Sequence, residues 1–160
     1  MKLSNLWVLP FFVQGLVMFV DEFYFHLRRG LPLWERIGHP IDTFSVVLCY
    51  GMILWLSPTP ENLVVYGCLC LFSCALVTKD EFVHRRENCS GGENWLHSVL
   101  FVLHPLVLSL AGLIWYDHSM ATDANLNLWM GLKIQAALTV VFLLYQVTYW
   151  SFLWKPKKLK

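Results

Sequence analysis

Residues 21–39 read DEFYFHLRRGLPLWERIGH, and residues 80–97 read DEFVHRRENCSGGENWLH. The second stretch restates the ionisable pattern of the first about 58 residues later. Asp21, Glu22 and Phe23 answer to Asp80, Glu81 and Phe82, and His26 answers to His84. Arg28 and Arg29 answer to Arg85 and Arg86, Glu35 to Glu93, and His39 to His97. Only 14% of the chain is charged, yet four of its 6 histidines fall inside this pattern. Each copy adjoins long apolar sequence. Acidic and imidazole groups kept beside membrane spans, in two copies, point to metal binding.

The spans follow from composition. Of 160 residues, 57% are apolar and 16% aromatic, and mean hydropathy is +0.52. About 20 apolar residues cross a bilayer as a helix, and five such stretches occur, at about 5–26, 40–57, 62–84, 95–116 and 127–154. Gly30-Leu31-Pro32, Ser57 to Pro60 and Ser90-Gly91-Gly92 interrupt them, and a polar loop runs from Asp117 to Asn127. Glu61 and Asn62 suit the start of the third span, and Pro40 that of the second. The first span has no small-residue cleavage site and runs into Asp21-Glu22, so it reads as a retained helix, not a removed signal peptide.

The fold expected is an all-α integral membrane protein of five transmembrane helices, one domain over residues 1–160. Repeat one covers about 5–57, repeat two about 62–116, and the fifth helix about 127–154. Two helices per repeat make the copies parallel, with their Glu and His at one depth inside a four-helix bundle. The fifth helix lacks the pattern and is expected to pack outside, facing lipid or a partner. Arg28, Arg29 and Arg36, then Arg85 and Arg86, then Lys155, Lys157, Lys158 and Lys160 all fall on one side. Residues 58–61 and 117–126 contain no Lys or Arg. The positive-inside rule therefore puts the N-terminus outside and the C-terminus in the cytoplasm. Trp7, Trp55, Trp115, Trp129, Trp150 and Trp154 lie near span ends, where interfacial aromatics belong. A net charge of +1 gives no reason to expect nucleic acid. Five cysteines, most of them in spans, imply no disulfide framework, and Cys70 and Cys74 read as bundle packing.

The expected metal ligands are Glu22, His26, Glu35, His39, Glu81, His84, Glu93 and His97. Glu81 and His84 are three apart, so both face one side of a helix. Glu22 and His26 are four apart, with one extra residue for a bulge to absorb. Glu35–His39 and Glu93–His97 are further one-face pairs. Asp21 and Asp80 precede the ligand Glu and should point elsewhere, either holding a ligand in place from behind or pairing with Arg. Asp42 and His104 are additional candidates, and Asp42 could bond to His39. His118, in the outer loop, is expected to have no role in catalysis. Four carboxylates buried without partners would be costly, and two divalent ions would cancel them. Mixed Glu/His ligation suits iron first, with zinc or manganese as alternatives. The paired arginines could bind an anionic substrate, but anchoring at lipid headgroups is favoured.

This ligand set resembles that of ferritin-like di-metal carboxylate proteins over 21–39 and 80–97, with two more His than those proteins use. The chain also resembles small bacterial inner-membrane proteins with DEF…H and E-x-x-x-HP segments, which implies a location but no activity. The function expected is a di-iron oxidoreductase acting on a lipid-like or quinone-like substrate near the cytoplasmic face. A zinc- or manganese-dependent hydrolase is one alternative. A non-enzymatic metal transporter or sensor is the other, although polar groups such as His104, Lys133, Gln135 and Gln146 are few within the spans.

Overall fold

The computed structural model describes residues 4–79, 89–121 and 124–154. Among the described residues every element is helical, and five helices are long and apolar enough to cross a membrane. They are α1 (Asn5–Arg29), α2 (Leu33–Trp55), α3 (Pro60–Thr78), α4 (Gly91–Met120) and α5 (Leu126–Leu153).

Local chemistry explains their ends. Ser4 caps α1 by accepting from the Leu6 amide. Gly30 closes α1 at φ 77, in a region that favours glycine. A Cβ there would also come within 2.8 Å of the Trp154 ring. Thr59 caps α3 ahead of Pro60, and the Asn125 side chain caps α5 by accepting from the Asn127 and Leu128 amides.

Two helices start earlier than hydropathy suggests. α2 opens at Leu33, so Pro40 lies inside it and does not begin it. Pro32 supplies an extended N-cap, and Glu35 falls in the first turn, where the helix dipole favours an acid. α4 opens at Gly91 because the Ser90 hydroxyl accepts from the Glu93 amide. Ser90-x-x-Glu93 is a capping-box spacing, and it carries Glu93 into the helix.

α1 lies against α4, α4 against α3, α3 against α2, and α2 against α5. The α2–α5 pairing is the most extensive of these, so the fifth helix is a full member of the assembly and not an outer addition. At one end the helices enclose an apolar core built around Tyr50, Ile53, Tyr66, Leu108 and Trp115. Gly112 admits the Tyr66 ring, since a Cβ would lie 2.8 Å from it. The Tyr66 hydroxyl donates to the Leu108 carbonyl at 2.7 Å. The opposite end, where α1 finishes and α2 begins, is polar.

Candidate metal centre

α1 widens into a π-helical turn over Asp21–His26, closed by the Leu27 amide donating to the Glu22 carbonyl. Bonding five residues back in place of four brings Asp21, Glu22 and His26 onto one inward face. Asp21 thus points into the cluster, contrary to the expectation that it would face away. Exposure is 2% at Glu22 and 1% at His26. The first two turns of α2 and α4 deliver Glu35, His39, Glu93 and His97, all buried.

These groups meet. His26 Nδ1 lies 3.3 Å from Glu22 Oε2, and its Nε2 lies 3.3 Å from Asp21 Oδ2 and 3.7 Å from Glu93 Oε1. His97 Nε2 is 3.2 Å from the same Asp21 oxygen. The His26 and His39 rings have centroids 4.8 Å apart. Two sets of side chains could each hold an ion, Asp21–His26–His97 and His26–Glu35–His39, with donor atoms within 4.8 Å of one another. Among the described residues, Asp21 Oδ1 and Glu35 Oε1 are buried without a hydrogen-bond partner.

The cluster also has protein partners that the sequence did not advertise. Arg29 donates to Glu35 at 2.6 Å and to Glu93 at 2.9 Å, joining the first turns of α2 and α4. It is therefore a member of the cluster, whereas Arg28 lies over the Tyr24 ring. α5 carries a second π-helical turn, Tyr149–Leu153, from which Trp150 Nε1 donates to Glu22 Oε1 at 2.6 Å. Trp150 is wholly buried and not interfacial, as is Trp115 at the other end. Lys79 donates to Asp42 Oδ1 at 2.6 Å. Cys89, just ahead of α4, is pushed up to about 11 chiefly by burial, although Arg29 pulls the other way. It is a neutral thiol.

His104 is committed elsewhere. Asp42 O, which can only accept, takes a hydrogen bond from Ser45 Oγ at 2.6 Å, so Ser45 must accept from Ser73 Oγ at 2.7 Å. Ser73 in turn accepts from His104 Nε2 at 2.9 Å, leaving Nδ1 to accept from Gln14 Nε2 at 3.1 Å. One backbone carbonyl thus fixes the direction of a chain crossing four helices. Both ring nitrogens are used, so His104 has none left for a metal. A second link joins Thr43 to Gln146 Oε1 at 2.7 Å.

A cavity of about 480 Å³ runs from the cluster along α1 and α5, past Gly15, Phe19, Leu138 and Phe142 to Phe11. This is the size of many small-molecule sites.

The structure brings together Glu22, His26, Glu35, His39, Glu93 and His97, with Asp21 added. Asp80, Glu81, His84, Arg85 and Arg86 lie outside the described residues. His118 stacks on Trp129 at the far end, centroids 4.1 Å apart. Trp150, Gln14, Ser45 and Ser73 were missed. Gln135, Thr139 and Gln146 are spaced by four and seven, a polar stripe that could have identified the inward face of α5. No protein-family model, curated protein or solved structure matches the chain.

Proposed function

We propose that the chain is an integral membrane metalloprotein whose buried cluster binds divalent metal, iron by preference, to oxidise a lipid-like substrate. The surroundings of His26 carry this reading. A neutral imidazole donates from one nitrogen only, yet both nitrogens of His26 face carboxylate oxygens at 3.3 Å. That arrangement calls for added positive charge. Charge-assisted hydrogen bonds are shorter, about 2.7–2.9 Å. Separations of 3.2 and 3.3 Å suit donors each about 2.1 Å from a shared metal. The unpartnered Asp21 Oδ1 and Glu35 Oε1 supply further acceptor capacity.

Because the two donor sets share His26, Glu81 and His84 are the residues that would complete a second ion. On this reading α1–α2 and α3–α4 are two copies of one unit, and the positive-inside rule turns the cluster toward the cytoplasm. Arg29 offsets part of the carboxylate charge, and Trp150 holds Glu22 in place. An iron centre there would supply oxygen activation, while the surrounding apolar walls keep water from the reacting carbon. Zinc or manganese in its place would move the assignment to hydrolysis.

Elemental mass spectrometry of detergent-purified protein tests this, beside His97→Ala and Glu35→Gln variants. The expected result is stoichiometric iron in the wild type and its loss in variants with unchanged helical circular dichroism. Wild-type protein that is folded and free of stoichiometric metal would overturn the reading.

A further inference from the structure

α1 and α5 meet at their ends and part between them. At one end Asn125 Nδ2 donates to Asn5 Oδ1 at 2.8 Å. At the other, Trp150 donates to Glu22, and the Phe23 and Tyr145 rings stand 5.3 Å apart. Between these clasps the wall of the cavity is Phe12, Gly15 and Phe19 from α1 and Leu138 and Phe142 from α5. A Cβ added at Gly15 would meet nothing within 4 Å. Phe12, Phe19 and Leu138 are all more than half exposed on the outer surface of the helices. The cavity therefore opens sideways, and its two clasps close it toward either aqueous phase.

Three facts choose the occupant. The opening lies between two membrane-crossing helices, where hydrocarbon is the only abundant solvent. From Phe11 to Asp21 the helix rises about 15 Å, half of the roughly 30 Å hydrocarbon core and so the depth of one leaflet. Along the inner wall Gln14 bonds to His104, Thr43 to Gln146, Lys79 to Asp42 and Thr139 to the Gln135 carbonyl, so the Gln135 side chain is the polar exception on an otherwise apolar track. That track ends at Asp21, Glu22, His26, His39 and His97.

We propose that one hydrocarbon chain of a single membrane lipid enters sideways between α1 and α5 and lies along this track, with its polar end at the carboxylate/His cluster. The proposal specifies the lipid-like substrate of the preceding section and rests on the chain's placement in a membrane, but not on the metal.

The test uses full-length protein in phosphatidylcholine vesicles with a fatty acid carrying a photoactivatable diazirine on its chain. Cross-links mapped by peptide mass spectrometry should concentrate on Phe12, Phe19, Leu138 and Phe142. They should exceed those on Val64 and Leu71 of α3, which are 66% and 73% exposed but do not line this cavity. Gly15→Phe fills the open space and should cut labelling of Leu138 and Phe142 severalfold, with α3 labelling unchanged. Even labelling of α3 and the opening would overturn the proposal, as would a Gly15→Phe protein labelled like the wild type. The map should persist after chelator treatment. Doorway labelling in protein that binds no metal would sustain this inference and sink the metal centre, whereas bound metal with even labelling would do the reverse.

Discussion

The buried stripes of α2 and α4 each change character along their length. α2 presents Glu35, His39 and Asp42, then Cys49, Tyr50 and Ile53. α4 presents Glu93, His97 and His104, then Val107, Leu108, Ala111, Ile114 and Trp115. At the apolar end, contact is a matter of shape, and ordinary helices with a small residue at Gly112 suffice. At the polar end every buried group needs a partner at a set distance. There the regular helix is abandoned twice, at Asp21–His26 and at Tyr149–Leu153. Apolar packing tolerates the α period, whereas convergent polar chemistry bends it.

The largest effect should come from the apolar end. Trp115 is buried and its Nε1 donates to the Leu56 carbonyl at 2.9 Å. Trp115→Ala should cost about 3–5 kcal/mol of unfolding free energy. Metal bound per folded chain should not change. Loss of metal from folded Trp115→Ala protein would break the separation between the ends.

Arg29→Gln comes next and should act with opposite signs in two states. Without metal, Glu35 and Glu93 lose their shared cation, and because Arg29 is partly exposed the cost is about 1–3 kcal/mol. With metal, the more negative cluster should bind divalent cations more tightly. Calorimetric titration and detergent melts read the two signs, and a variant weakened in both states would make Arg29 purely structural. The smallest effect is expected from Trp150→Phe, which keeps an aromatic six-membered ring but removes the indole N–H that donates to Glu22. About 0.5–1.5 kcal/mol should be lost in thermal unfolding. No loss at all would show that Glu22 is held by its other neighbours.

The five spans were legible because twenty apolar residues in a row have few other homes. The starts of α2 and α4 were not, because Glu35 and Glu93 look like loop charges until Pro32 and Ser90 are read as caps. Glu22, His26, Glu35, His39, Glu93 and His97 were legible as a group, since both copies keep them at helical spacing. Asp21 was misdirected by the α period itself. Trp150 looked like one more interfacial tryptophan, and nothing local distinguishes an indole that faces lipid from one that reaches a carboxylate 128 positions away. Ser45 and Ser73 are silent in sequence because a hydroxyl in a span acquires meaning only from its neighbour on another helix.

The π-helical turn at Asp21–His26 makes the protein sensitive to counting. Such a turn holds one residue more than the α turn it replaces. Add one more residue between Glu22 and His26, and everything before it rotates by about 100° against everything after it, because the turn has already taken up its one extra residue. Asp21 and Glu22 would swing toward lipid while His26 stayed in place, with no side chain altered. Substitutions of Phe23 or Tyr24, both largely on the outer surface, leave that phase intact. At this point in the chain, length is therefore more tightly constrained than identity.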